Sequence, residues 1–224
     1  MKLSYQRLIP AALLVSAATV LGAPEAQAQI VPLESDSLTI AELLGGDELT
    51  IGDKLMSDFS YFGPFGVDDA TVTLSEVTEL FYTVDFEFAE SIGALPEGVY
   101  VFEYRFSVIP GFERVIVETQ TDSNRAAGDD GSTSQLKEVF SDSGFTDLVA
   151  TVESIDGDFG GLDGIPGLTE IWVRDTVTIE GDDLILDFSN GFDQADPIPE
   201  PTALLGLFAL GSLGLVSKRN KKSA

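Results

Sequence analysis

The chain predicts an all-β body, a β-sandwich or jelly roll of about nine strands with one short helix near its start. Three observations carry this. Over 99–109, Tyr100, Phe102, Tyr104, Phe106 and Val108 fall on one face and Glu103, Arg105 and Ser107 on the other, the period-2 pattern of a half-buried strand. Segments of this kind are separated by Gly, Pro, Asn and Asp turn signals at roughly eight- to twelve-residue spacing, as in sandwiches. No internal repeat of roughly 20–50 residues is apparent, which argues against a propeller or solenoid.

The elements follow in order. Lys2 and Arg7 make a positive start, 11–21 is apolar, and Ala26 and Ala28 form a small-x-small cleavage pattern. These are the parts of a helical signal peptide over 1–28, cut by signal peptidase to leave a mature chain from Gln29. A polar lead-in over 29–36 precedes a helix over 38–44. There Thr39 and Glu42 fit a capping box, and Gly45-Gly46 is the stop. Strands are expected at 49–51 and 54–62 around a Gly52-Asp53 turn, with Leu55, Phe59 and Tyr61 sharing a face. Over 81–88, Val84, Phe86 and Phe88 oppose Asp85 and Glu87. After 99–109 and the Pro110-Gly111 turn, 113–121 sets Val115 and Val117 against Arg114 and Glu118. The polar stretch 122–135 reads as a loop. Strands are expected again at 136–140, 146–154 and 170–179, then at 184–189 after Gly181-Asp182, with Asn190-Gly191 ending the last one.

Charge and composition narrow the chemistry. In 29–201 six basic residues stand against 37 acidic ones, a formal charge of −31. Such a body is no nucleic-acid binder, because phosphate contacts need Lys and Arg. The chain has no cysteine and no histidine. Disulfides, thiol nucleophiles, thiolate or imidazole metal sites and Ser-His-Asp catalysis are therefore excluded. What remains is carboxylate chemistry, oxygen-ligand metals or no chemistry.

The end of the chain has its own organisation. A proline-punctuated joint over 197–201 is followed by an apolar run over 202–217 and a basic end over 218–224 carrying Lys218, Arg219, Lys221 and Lys222. The joint cannot continue a helix or strand. The apolar run reads as a short transmembrane helix: 203–216 spans about 21 Å at a rise of about 1.5 Å per residue. The hydrocarbon core is about 30 Å, and snorkelling of Lys218 and Arg219 narrows the gap. Every face of the run is apolar, with Ser212 a minor break, unlike a core helix. The basic cluster holds the cytoplasmic side. Pro199-Glu200-Pro201, the Leu/Gly-rich run and the basic end together resemble the PEP-CTERM sorting signal of exported bacterial proteins. That resemblance implies an exosortase-type protease as partner, cleavage near the motif, membrane attachment through the helix before processing, and a cell-surface or extracellular destination often associated with exopolysaccharide. It covers the tail and carries no activity to the body. The stretch 50–59 also resembles an opening of other PEP-CTERM proteins with all-β bodies.

Three constellations are candidates for chemistry in the body over 29–196. Asp156, Asp158 and Asp163 lie among glycines, a spacing able to wrap Ca²⁺. Gly160 and Gly167 break the EF-hand pattern, and a solvated glycine loop is the competing reading. A pair of Asp/Glu side chains facing across a cleft would suit glycoside hydrolysis, with Trp172 the one tryptophan to serve as a sugar platform. The aromatic strands at 81–88 and 100–106 offer either a sandwich core or a lectin-like face. The expectation is a non-catalytic, exported surface or matrix protein. A carbohydrate-active hydrolase and a Ca²⁺-dependent adhesion or carbohydrate-binding module are the alternatives. The hydrolase requires an acid buried in a cleft beside aromatics.

Overall fold

The structure is a computed structural model and describes residues 34–88, 92–126 and 131–196. The signal peptide at 1–28 and the tail at 197–224, with its expected transmembrane helix, lie outside the described residues. Among the described residues there are twelve strands and one helix: β1 Glu34–Thr39, α1 Ile40–Leu44, β2 Leu49–Ile51, β3 Lys54–Phe62, β4 Thr71–Thr78, β5 Phe81–Glu87, β6 Gly98–Val108, β7 Val115–Ala126, β8 Ser132–Phe140, β9 Leu148–Ile155, β10 Leu162–Leu168, β11 Glu170–Glu180 and β12 Leu184–Ala195. They form two six-stranded sheets, β1-β4-β5-β12-β7-β10 and β2-β3-β6-β11-β8-β9, antiparallel throughout. The body is a β-sandwich, as the alternation predicts.

Three strands go beyond the nine expected. β1 is polar (Glu-Ser-Asp-Ser-Leu-Thr) and half-exposed at a sheet edge, where few side chains meet a core. It takes the place of the expected lead-in and shortens the expected helix. Thr39 is the N-cap, its N–H 2.8 Å from Glu42 Oε2 and its hydroxyl accepting from the Glu42 N–H, the reciprocal box that starts α1 at Ile40 instead of 38. β10 lies at the other edge of the same sheet and contains Gly164, Pro166 and Gly167. Proline has no N–H for a ladder and survives only at such an edge. β4 is an ordinary alternating strand with Val72 and Leu74 inward.

Four expectations are corrected in register. The polar stretch 122–135 is largely strand: β7 runs to Ala126 and β8 starts at Ser132, its Thr, Ser and Gln side chains bonding across strands. In β7 Ile116 is buried while Val115 and Val117 are half-buried, the reverse of the expected face. In β3 the pairing with β6 shifts between Ser57 and Ser60, and Asp58 has φ 52°. This bulge moves Phe59 and Tyr61 onto the core-packing side while Leu55 stays off it, because one inserted residue reverses the phase of a strand. Asn190-Gly191 does not end β12. Both residues are mid-strand, and a Cβ at 191 would stand 2.5 Å from Gln120 Cγ and 2.8 Å from Phe81 Cε2. Glycine is there to admit those side chains.

The two sheets meet in an aromatic layer. Phe86, Phe88, Phe102, Phe106, Phe188 and Phe192 are all fully buried. Phe188 stacks on Phe86 at 4.3 Å between ring centroids and lies 5.3 Å from Phe102 of the opposite sheet; Phe106 and Phe192 stack across the sheets at 4.2 Å. Without disulfides, this burial is the main source of cohesion. Phe188→Ala is expected to lower the unfolding free energy by about 3–5 kcal/mol in a denaturant titration. A loss under about 1 kcal/mol would place Phe188 outside the cooperative core.

Candidate functional site

The sorting residues Pro199, Glu200 and Pro201, the basic residues Lys218, Arg219, Lys221 and Lys222, and the cleavage residues Ala26 and Ala28 lie outside the described residues. The candidate calcium ligands lie inside them and do not converge. Asp156, at φ 54° in the turn after β9, accepts from the Thr133 N–H at 3.0 Å and pairs with Arg125 at 3.2 Å. Asp163 lies on β10 and accepts from the Thr151 and Gly164 N–H groups. Asp158 places its backbone carbonyl on the Ser154 hydroxyl. Among the described residues no group of three or more carboxylates is arranged to hold a metal ion.

The lectin-like face gives way to the core: the aromatic residues of β6, and of β5 apart from half-buried Phe81, are buried between the sheets. Trp172 is half-buried on the outer side of β11 and meets Phe145 edge-on at 6.1 Å. Phe145 belongs to the β8–β9 loop, which Asp142 gathers by accepting from the N–H groups of Gly144, Thr146 and Asp147. Those bonds hold the Asp142 carboxyl below the usual carboxylate range. The loop also lays Phe145 over the Arg174 guanidinium, 4.5 Å from the ring centroid. Trp172 is therefore engaged by its own chain.

A cleft of about 440 Å³ opens at the β2–β3 turn, lined by Gly52, Asp53, Glu76, Tyr82, Phe112 and Arg114 among others. Gly52 has φ 55°, and a Cβ there would meet Tyr82 Oη at 3.1 Å and Glu76 Oε2 at 3.3 Å. Asp53 is buried, accepts from the Tyr82 hydroxyl at 3.1 Å and lies 2.6 Å from Lys54 Nζ. One acid thus sits buried beside an aromatic, as a hydrolase needs, but the same Oδ1 holds both the tyrosine and the lysine. Burial, opposed by Asp53, pulls the Lys54 ammonium down to about 8. Burial and the charges of Asp53 and Glu76 push the Tyr82 phenol up.

A second polar group is sealed between the sheets, and the sequence pattern did not single it out. Gln135 and Lys137 on β8, Asp175 on β11, Asn190 on β12 and Tyr104 on β6 are all fully buried. Asn190 Nδ2 donates to Asp175 Oδ2 at 2.6 Å and to Tyr104 Oη at 2.9 Å. Asn190 Oδ1 accepts from Thr121 Oγ1 at 3.0 Å and Gln135 Nε2 at 3.3 Å; Gln135 Nε2 also reaches Asp175 Oδ1 at 3.1 Å. Lys137 Nζ donates to the carbonyls of Gln120 at 3.2 Å and Gly191 at 3.4 Å and lies 3.7 Å from the Phe192 ring centroid. Burial drives the Lys137 ammonium down and the Asp175 carboxyl up, each toward its neutral form, against their mutual attraction. A signal for this group exists in the sequence. Asp175 falls in phase with Ile171, Val173, Val177 and Ile179, and Asn190 with Phe188 and Phe192, so each interrupts an otherwise apolar face.

Comparison with known proteins bears first on the tail. Residues 197–222 match the family model of the PEP-CTERM protein-sorting motif. The chain carries that motif. Comparison with curated proteins gives no match. Among solved structures, the family 11 xylanase from Neocallimastix patriciarum is similar at 6% identity over 73% of this chain and 100% of that chain, with a TM-score of 0.31. TmCBM61 in complex with β-1,4-galactotriose is similar at 16% identity over 63% of this chain and 90% of that one, with a TM-score of 0.29. Superposition this loose leaves the fold to be read from this chain's own strands.

Lys54 makes the cleft sensitive to pH. Its pKa is lower folded than unfolded, so between about 8 and about 10.4 the unfolded chain holds more protons and stability rises with pH. The denaturant midpoint is expected to increase from pH 7.5 to 9.5, and Lys54→Met is expected to remove the share of that increase due to Lys54 while leaving the share due to a free Lys137. A midpoint falling with pH in the unaltered protein would contradict the burial of Lys54.

Proposed function

We propose that the chain is an exported, non-catalytic surface or matrix protein whose C-terminal tail directs its sorting and is processed by an exosortase-type membrane protease. The observation that carries this is the match of the PEP-CTERM motif to 197–222, beginning two residues after β12 ends at Ala195. β12 is the last described strand, and the prolines of the joint at 197–201 suit an extended segment for a protease. Signal peptidase acts at the other end, after Ala28. The helix over 202–217 holds the intermediate in the membrane with Lys218, Arg219, Lys221 and Lys222 inside. The body's formal −31 keeps it soluble and repelled from anionic surfaces, which suits a hydrated exopolysaccharide matrix. Its non-catalytic role is supported by the one buried carboxylate at each polar site: Asp53, alone buried among the acids lining the cleft, is held by Lys54 and Tyr82, and Asp175 is sealed inside.

Intact mass of the protein recovered from the host's envelope and medium tests this. The expected species begins at Gln29 and ends near 199–202, and replacing Pro199, Glu200 and Pro201 by alanine leaves the tail attached. Recovery of the unaltered protein with Lys221 and Lys222 still in place, from a host with an active exosortase, would contradict it.

A further inference from the structure

We propose that Lys137 and Asn190 join as an intramolecular amide that bolts one sheet of the sandwich to the other, with Asp175 carrying the protons and ammonia leaving. The parts are a nucleophile, an acyl donor, donors to the oxygen that becomes charged, and an acid beside the leaving group. All four are present in one buried place between the sheets.

Lys137 stands directly across β8–β11 from Asp175, which sets their Cβ atoms roughly 5 Å apart on the core side. Its side chain crosses the interior, and Nζ rests on the carbonyl of Gly191, the residue after Asn190. The lysine's flexible four-carbon stem lets Nζ swing from that carbonyl to the neighbouring carboxamide carbon. Asn190 Oδ1 already accepts from Thr121 and Gln135, donors placed where negative charge develops when an amine adds to Cγ. Asn190 Nδ2, the leaving nitrogen, is held by Asp175 Oδ2 at 2.6 Å. All these side chains are buried from bulk solvent.

The proton count favours the reactive form without any added acid or base. An ammonium facing a carboxylate holds as many protons as an amine facing a carboxylic acid, and a low-dielectric interior disfavours the charged version. In the neutral version the Nζ lone pair attacks Asn190 Cγ. The C–N bond forms and the carbonyl π electrons move to Oδ1. Asp175 gives its proton to Nδ2 and takes one from Nζ. Collapse of the adduct restores the C=O bond and breaks the Cγ–Nδ2 bond. One amine and one carboxamide become one secondary amide and one ammonia, with Asp175 returned to its starting state. No oxidant, metal or second substrate enters. The product links β8 of one sheet to β12 of the other, in a chain that has no cysteine to form a disulfide.

The test is mass spectrometry of the purified full chain after denaturation and trypsin digestion. The expected product joins residues 126–174 to the peptide that begins at Asp175 and contains Asn190. It lacks about 17 Da, one ammonia, relative to their sum, because trypsin does not cut after an acylated Lys137. Free peptide 126–137 together with the Asn190 peptide at unaltered mass overturns the proposal. A link that lacks about 18 Da, one water, and fragments to Asp175 also overturns it, since Asp175 would then be the acyl donor. Asp175→Asn keeps the shape but cannot carry the proton, and it is expected to accumulate the unlinked chain. Linkage at the unaltered rate in that variant overturns the role given to Asp175. The result on the unaltered chain stands whether or not the variant folds.

Discussion

Six cations serve a body of 37 acids, and every one of them is bonded to the protein itself. Arg105 bridges Asp58 and Glu170, Arg125 bridges Asp156 and Asp183, and Arg174 holds Glu103. Arg114 donates to the carbonyl of Glu79. Lys54 and Lys137 are drawn fully inside. Scarce positive charge is used where it ties strands together, and the outer surface is left almost uniformly negative. Exposed ion pairs contribute little in water. The arginine contacts here are partly buried, and each joins strands or turns distant in sequence.

The interior divides accordingly. Around Phe86, Phe102 and Phe188 the sheets meet through tilted rings, an apolar contact with no donor or acceptor to match. Around Asn190 they meet through hydrogen bonds whose donors and acceptors fit only one register, since a one-residue slip of β12 would turn Asn190 away from Asp175, Tyr104 and Gln135. The buried amide therefore specifies which strand faces which, while the phenylalanines supply the cohesion. Buried ionisable groups of this kind are weak stabilisers on their own, because desolvation offsets their attraction. Their value here lies in specificity and, as proposed, in reactivity.

Much of this was legible. The alternation over 99–109 gave β6 with its faces right, the Thr39–Glu42 pair gave the helix cap, and the tail read as a sorting signal matches that motif. Edges were harder. β1 is polar and β10 carries a proline, because an edge strand needs neither a continuous apolar face nor every N–H. Insertions were invisible: Asp58 at positive φ reverses the phase of β3 midway. The buried polar group was missed because Lys137 and Asn190 carry opposite false signals. A lysine beside Leu136 suggests an outward side chain, yet Leu136 is the more exposed of the two. Asn-Gly suggests a turn, yet Gly191 is needed for the close approach of Gln120 and Phe81. The acid count hid Asp53 and Asp175 among 36 others, since only their position on an inward face distinguishes them.

The polar group at Asn190 fastens the sandwich and is not a weak spot within it. Native-state hydrogen exchange on the amides of 173–177 and 188–192 tests this most directly. They are expected to exchange only through global unfolding, with opening free energies equal to that of the whole body. Exchange of these amides through a smaller local opening, ahead of the amides around Phe86 on β5 and Phe102 on β6, would contradict it.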